Sequence, residues 1–427
     1  MKNIDKFLKE NKISPDDLNL QQIVDLFTSE MLKGLEGKES SLRMIPTYIE
    51  ADNKFLTDIP VVAIDAGGTN FRSAIIKFNK KGKLEISNML NTRMPGLDGE
   101  ISKDDFFKTI AGYVKVQAGE VGRFGFCFSY PSEILPNKDG ILLQFCKEVQ
   151  APGVVGQMIG KNLLEKLGMP EKQIVLLNDT VATLLAGKSA SPDKAYDSYI
   201  GYILGTGTNT SYIERNKNII KSPGLDQTKS QIINIESGNF GKAPRTKLDV
   251  KFDNTTTNPG NYTFEKMISG GYFGNLCLTI LKAAAKTGVF TRITSSNILS
   301  LNELSSEDLN NFVCKAPTGR GPLYSCINEK ADEENCIIII ESLIDRAAKL
   351  VAANLAAVLI KTNKGKLPGR PVLITVEGTI YYKLHNLKSQ IDKYLREYLS
   401  VEKQRFFEFT EVPFSSLVGA ALAVLID

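Results

Sequence analysis

Two segments of this chain repeat one pattern: Val61-Val62-Ala63-Ile64-Asp65-Ala66-Gly67-Gly68-Thr69-Asn70-Phe71-Arg72 and Tyr199-Ile200-Gly201-Tyr202-Ile203-Leu204-Gly205-Thr206-Gly207-Thr208-Asn209-Thr210. Each is an apolar run of strand length, broken by glycines and resumed with alternating side chains, which is the pattern of a β-hairpin. The turns align as Gly68-Thr69-Asn70 and Gly207-Thr208-Asn209. A glycine turn lets backbone N–H groups and threonine hydroxyls approach an anion closely, so two such turns facing each other could grip a polyphosphate. A single glycine-rich hairpin is most often only a turn. Duplication, with Asp65 ending one first strand, points instead to a nucleotide clamp. A P-loop is excluded because Gly187-Lys188-Ser189 has Ala182 where the first glycine should stand, and a dinucleotide fingerprint because Gly205-Thr206-Gly207 leads into Thr210 and a second strand.

At 427 residues the chain exceeds one ordinary core, so two domains are expected. A net charge of +4 without a basic block gives no reason to invoke nucleic acid or a charged membrane surface. The six cysteines (Cys127, Cys146, Cys277, Cys314, Cys326, Cys336) form no C-x-x-C pair and His385 is the only histidine, which argues against structural zinc and for buried, reduced thiols. The N-terminus lacks a signal-peptide apolar core, and the apolar region Cys336 to Ile360 carries Glu341, Asp345, Arg346 and Lys349, reading as a buried helix. A cytoplasmic protein is expected.

Ser14-Pro15-Asp16-Asp17 reads as a helix start, with Leu20, Ile23, Phe27 and Met31 following at helical spacing until Gly34 and Gly37. The first hairpin opens an α/β region: a strand near Arg123 to Phe128, a helix from Val154 to Leu167, a strand from Gln173 to Leu177, and a new helix beginning at Asn178-Asp179-Thr180. The second hairpin opens a region on the same plan. It continues through a helix from Phe264 to Lys286, the long helix ending near Ile360, a strand from Val372 to Val376, and an apolar helix from Ser415 or Ser416 to Ile426. Residues 301–334 carry no readable pattern. Two α/β halves, each opened by a phosphate-type hairpin, imply a two-lobed fold with nucleotide between the lobes.

Ser129, Lys147, Asn178, Asp179, Asn209, Glu236 and Glu265 fall at strand ends and turns. A polyhydroxylated ligand needs such a set, because each buried hydroxyl wants a donor and an acceptor. Singly, each has a plain alternative as a helix cap, a first-turn acid or surface charge; jointly, beside two phosphate hairpins, they favour a site. Asp179, between a strand end and a helix start, can accept a proton from a substrate hydroxyl that attacks a terminal phosphoryl group. The charge developing on the phosphoryl oxygens calls for Mg²⁺, Lys147 or Arg72, with Asp65 the best protein partner for the metal.

These motifs resemble the eukaryotic-type hexokinase family, within the actin-like group of sugar kinases, from about Ile59 to Ala423. Asp65 to Arg72 is similar to the family's first phosphate motif and Gly205-Thr206-Gly207-Thr208-Asn209 to its second. Gly125-Phe126-Cys127-Phe128-Ser129-Tyr130-Pro131 resembles the sugar-binding segment, and Leu177-Asn178-Asp179-Thr180-Val181 the catalytic one. Ile235-Glu236-Ser237-Gly238, Asn258-Pro259-Gly260 and Phe264-Glu265-Lys266-Met267-Ile268-Ser269-Gly270 match further motifs, and Glu377-Gly378-Thr379 with Lys383-Leu384-His385 the adenosine stretch.

The resemblance implies an α/β, two-lobed actin-like ATPase (ribonuclease H-like) fold with a duplicated core and an interlobe cleft. It implies a helical segment over residues 1–57 packed on the large lobe, a small lobe over 58–177 completed by a C-terminal helix 416–427, and a large lobe over 178–415. It implies an ATP-dependent hexokinase acting on glucose, or a related hexose such as mannose or fructose, as a monomer or homodimer, with a weakly catalytic sugar sensor as the alternative. Asp179 would be the base, with Lys147 and Arg72 assisting, and Ser129, Cys146, Lys147, Asn178, Asp179, Asn209, Glu236 and Glu265 would bind the hexose. Asp65, Gly67, Gly68, Thr69, Asn70, Arg72, Gly205, Thr206, Gly207 and Thr208 would hold the phosphates of ATP. Gly270, Gly378 and Thr379 would lie near adenosine, and Asp65 would meet ATP-bound Mg²⁺ through water. Three positions depart from the pattern: Phe145-Cys146-Lys147-Glu148 replaces Trp-Thr-Lys-Gly, Glu377-Gly378-Thr379 replaces Asp-Gly-Ser, and Val418 replaces a lysine.

Overall fold

The computed structural model describes residues 3–50, 54–119, 121–145, 149–190, 194–316 and 321–426. Its strands are β1 (Ile45–Glu50), β2 (Val61–Ala66), β3 (Asn70–Phe78), β4 (Leu84–Arg93), β5 (Arg123–Phe128), β6 (Ser132–Ile134), β7 (Gly140–Leu142), β8 (Gln173–Leu177), β9 (Ser198–Leu204), β10 (Thr208–Arg215), β11 (Ser230–Asn234), β12 (Val372–Glu377) and β13 (Phe407–Thr410). Five of them form a sheet in the order β4-β3-β2-β5-β8, and six form another in the order β1-β11-β10-β9-β12-β13. Apart from β1, the two orders correspond strand for strand. In each, a glycine-turn hairpin (β2–β3 or β9–β10) extends antiparallel on one side (β4 or β11) and is joined in parallel on the other (β5 and β8, or β12 and β13). The repeat in the sequence is therefore a repeat of whole sheets.

Two helices lie between the sheets: α5 (Asp179–Ala190), and α15 (Ser415–Leu425), all eleven of whose residues are buried. A helix apolar all round must be enclosed. The spacing of this sandwich is set by missing side chains. A Cβ on Gly125 of β5 would lie 1.8 Å from the carbonyl oxygen of Ala420 in α15, and one on Gly419 of α15 would lie 2.0 Å from that of Ala182 in α5. On the far side, a Cβ on Gly201 of β9 would stand 2.2 Å from the carbonyl oxygen of Thr180. Three consecutive interfaces thus bring backbone against backbone. Val418 is buried within this stack.

Helices α1 (Asn3–Asn11) and α2 (Leu20–Glu36) belong to the same apolar cluster as the second sheet, and β1 pairs antiparallel with β11, so this N-terminal stretch supplies a strand as well as helices. Ser14 caps only a 3-10 turn, Pro15–Asp17; Leu18 then turns extended, and the side chain of Asn19 accepts from the N–H of Gln22 to start α2. Helix α3 (Lys103–Ala118) covers the first sheet. The helix expected from Val154 begins at Ile159 instead (α4, Ile159–Leu167), because Gly156 takes φ +79° and donates to Leu142 O after a 3-10 turn at Pro152–Val154.

In the second half come α6 (Lys247–Asp253), α7 (Glu265–Ile268), α8 (Gly270–Ala284), α9 (Arg292–Ser300), α10 (Ser306–Val313), α11 (Gly321–Cys326), α12 (Lys330–Thr362), α13 (Thr379–Lys383) and α14 (Leu387–Leu395). The single helix expected from Phe264 to Lys286 is broken at Ser269, whose extended backbone separates α7 from α8. Helix α12 runs 33 residues through the core, yet no helix among the described residues is long and apolar enough to cross a membrane. Cys127, Cys277, Cys326 and Cys336 are buried thiols, whereas Cys314 is exposed at the end of α10, against the expectation of uniform burial.

Candidate functional site

In the first hairpin Asp65 pairs across the ladder with Arg72, whose Nη2 lies 2.7 Å from Asp65 Oδ2. The N–H of Gly67 donates to Asn70 O at 3.1 Å, closing the turn with Thr69 and Asn70 exposed and Gly68 half-buried. The hydroxyl of Tyr130 donates to Gly67 O at 2.7 Å, which holds the turn against the segment after β5.

The second turn closes through Gly205 N–H to Gly207 O at 2.9 Å, leaving Thr206 exposed. The break at Ser269 has its purpose here: the N–H groups of Gly270 and Gly271, opening α8, donate to Gly205 O and Thr206 O at 2.8 and 2.9 Å. Gly378 approaches from the end of β12 with φ +126°, and a Cβ there would lie 2.2 Å from Leu204 O. Only glycine fits. Gly205, Thr206, Gly270 and Thr379 consequently share the wall of a cleft of about 410 Å³. Its other wall comes from α10, with Ser306 and Asn310, and from Lys383 and Leu384.

Beside this cleft a polar network joins three of the expected residues. The amide of Asn209 donates to Asn178 Oδ1 and Glu236 Oε1, both at 3.3 Å, and to Asn234 Oδ1 at 2.8 Å. Asn234 donates in turn to Glu236 Oε1 at 2.8 Å, and Ser237 N–H donates to Asn209 Oδ1 at 3.2 Å. Glu236 is held at φ +59°, a left-handed conformation that non-glycine residues seldom adopt. Glu265 accepts from Thr208 N–H at 2.9 Å, so the second hairpin and this network share a border. Ser129 stands apart from it, bonded to the thiol of Cys127 beside Asp65, while its neighbours Phe128 and Tyr130 line a small cavity with Asn178, Asn234 and Glu236. Asp179 opens α5; its Oδ1 accepts from Thr180 N–H at 2.8 Å, and Oδ2 has no hydrogen-bond partner among the described residues. Cys146 and Lys147 lie outside the described residues.

Carboxylates crowd the space between the hairpins. Burial pushes Asp65 up to about 6; Arg72 opposes the rise, and Glu377 and Asp179 add to it. Glu377, also raised by burial, bonds to the hydroxyl of Ser415 at the start of α15, and Thr183 Oγ1 lies 3.5 Å from it, tying β12 to both central helices. Burial raises Glu236 as well. Among the described residues no group of three or more His, Cys, Asp or Glu could hold a metal ion. What the first hairpin offers is a buried carboxylate, Asp65, paired with a partly exposed arginine whose Nε lacks a hydrogen-bond partner.

The raised Asp65 has a consequence for stability. Between its ordinary value and about 6 the folded chain holds a proton that the unfolded chain releases, so stability falls as pH rises through that window. A rise of two pH units corresponds to on the order of 3 kcal/mol. Asp65→Asn should therefore gain stability relative to the parent between pH 4 and pH 7 in urea unfolding; a constant difference across that range contradicts the assignment.

Asn234 and the α10 residues escaped the sequence reading. Asn234 is an ordinary strand-end amide without a motif around it. For α10 a signal existed: Ser305 and Asp308 form a capping box.

Two family models, both described as hexokinase, match residues 199–426 and 3–189. Hexokinase-3 of Mus musculus is 30% identical over 88% of this chain, and the chain spans 42% of that protein's length. Hexokinase-1 of Schizosaccharomyces pombe is 28% identical, with 98% of this chain and 90% of that protein covered. The structure of the hexokinase from Schistosoma mansoni complexed with glucose superposes with a TM-score of 0.81 at 24% identity, covering 99% of this chain and 98% of that one. The fold is thus the two-lobed α/β architecture of the actin-like sugar kinases.

Proposed function

Because the chain belongs to the hexokinase family, we propose that it transfers the γ-phosphoryl group of ATP to the 6-hydroxyl of glucose or a related hexose. The observation that carries this reading is the network of Asn178, Asn209 and Glu236 beside Asp179, bordered by the second hairpin. Amides and a carboxylate at fixed positions suit the paired donor and acceptor needs of sugar hydroxyls.

In this reading Thr69 and Thr206 approach the phosphates from opposite sides, together with Gly67, Gly68, Asn70, Gly205, Gly207 and Thr208. The adenosine end occupies the cleft of about 410 Å³ along Gly270 and Thr379, with Gly378 packed against the second turn at Leu204 and Gly205. Ser129, Asn178, Asn209, Glu236 and Glu265, with Cys146 and Lys147, hold the hexose. Asp179 orients the 6-hydroxyl with its free oxygen and takes the proton late, once attack on phosphorus has made that oxygen acidic. Arg72 faces the developing negative charge, with Lys147 its counterpart. Magnesium carried on the nucleotide would supply further positive charge, with Asp65 its protein partner through water. The small lobe comprises residues 58–177 and the C-terminal stretch 416–427, the large lobe 178–415, with 1–57 packed on it; their closure on the hexose excludes water, the competing phosphoryl acceptor. The enzyme acts in the cytoplasm at the entry to glycolysis.

A coupled assay of ADP release against a panel of hexoses tests the proposal. ADP release that requires a hexose is expected. Binding of glucose without ADP release indicates a sensor, and release indifferent to sugar indicates an actin-like ATPase; either result overturns the kinase reading.

A further inference from the structure

A second cavity, of about 860 Å³, opens at the other end of the large sheet, where β9 begins, β10 ends and α12 gives way to the loop before β12. Strand β9 has seven residues. At about 3.3 Å per residue its two ends, and hence this cavity and the second phosphate hairpin, stand roughly 20 Å apart. The cavity shares no lining residue with the cleft described above.

Its charge is unusual. Two carboxylates line it, and both are already engaged. Glu214 takes Lys361 as an ion-pair partner on the buried floor, accepts from the hydroxyl of Tyr212 at 2.5 Å, and accepts from Arg215 N–H and the amide of Asn218. Asp197 accepts from Lys364 Nζ at 3.1 Å and from Gly365 N–H at 2.8 Å. That leaves Arg215, Lys217, Lys366 and Arg370, all exposed on the wall, none within 4 Å of a carboxylate among the described residues. The formal net charge of the entire chain is +4, so these four unpaired cations converging on one concavity are not a share of a generally basic surface.

We propose that this cavity is a binding site for an oligophosphate, either a free inorganic chain or the phosphate tail of a nucleotide, distinct from the catalytic cleft. Four separated cations match an anion of about three to four charges rather than a single phosphate, and arginine guanidinium groups favour the bidentate geometry of phosphate oxygens. The volume suits a small molecule, and the concave form does not suit a duplex or a flat protein surface. Lys361 and Lys364, locked to their carboxylates, form the floor and keep Glu214 and Asp197 from repelling the ligand.

The test is calorimetric titration of the full chain with inorganic tripolyphosphate, using a Thr69→Ala/Thr206→Ala variant to weaken binding at the hairpins. In that background the site should remain, and adding Arg215→Ala/Arg370→Ala or, separately, Lys217→Ala/Lys366→Ala should weaken it at least tenfold, with the effect shrinking at high salt. The two pairs are independent, so a folding defect in one leaves the other to decide. Displacement of tripolyphosphate by ATP in the hairpin variant assigns the site to a nucleotide tail, and its persistence assigns it to a free chain. Unchanged affinity in both distal pairs, complete loss of binding in the hairpin variant, or equal binding of citrate overturns the proposal.

Discussion

Replacing Asp179 by alanine is expected to lower hexose-dependent turnover by about 10²–10⁴-fold while leaving glucose binding measurable. The expectation rests on how the carboxylate is held. One oxygen is fixed by the N–H of Thr180, the second residue of α5, and the other has no hydrogen-bond partner among the described residues. The fixed oxygen sets the direction of the free one, which is what a group that must meet a single hydroxyl requires. In the proposed reading, binding of the sugar draws instead on the network of Asn178, Asn209, Asn234 and Glu236. The loss should therefore fall on kcat, and calorimetry should find glucose bound within a few-fold of the parent. Near-parental turnover would remove Asp179 from the mechanism, and loss of binding together with turnover would make it a structural residue.

Replacing Gly419 by valine should cost at least ~3 kcal/mol of stability, among the larger effects of overpacking. A Cβ at this position would lie 2.0 Å from Ala182 O and 2.4 Å from two further backbone atoms of Ala182, and backbone on both sides leaves nothing that can swing away. Gly112 supplies the control. It sits on the exposed face of α3 with no heavy atom within 4 Å of its would-be Cβ. Gly112→Ala should stabilise by about 0.5–1 kcal/mol, the ordinary helical preference for alanine. Urea unfolding of both variants checks the contrast. A Gly419→Val protein within about 0.5 kcal/mol of the parent would mean that α5 and α15 can separate freely.

The hairpins were legible because their signal is local: glycines at a turn, flanked by apolar runs, need no distant partner to be read. Their equivalence in space, down to matching strand orders, followed from the same repeat. The apolar run from Ser415 was also legible as a helix. Its position between two sheets was not, since that depends on Gly125, Gly419 and Gly201 meeting backbone that lies far away in sequence. The break at Ser269 escaped for a related reason. Local propensity favours one helix through Phe264 to Lys286, but the bonds from Gly270 and Gly271 to the second turn outweigh it. Asn234 shows the limit for the site itself, because nothing in a strand-end asparagine distinguishes a network hub from a solvated amide. Cys314 shows the same for thiols: its exposure comes from its place at the end of α10, which its composition and spacing cannot reveal.

The proposed phosphoryl transfer to a sugar hydroxyl held by this network can be followed on phosphorus itself. Phosphorus NMR of the chain with ATP, Mg²⁺ and glucose should show the γ-phosphoryl signal of ATP replaced by a sugar phosphate coupled to the protons of carbon 6, one for each ADP formed, with inorganic phosphate a minor product. Inorganic phosphate as the main product, or phosphate on another carbon, would contradict the account.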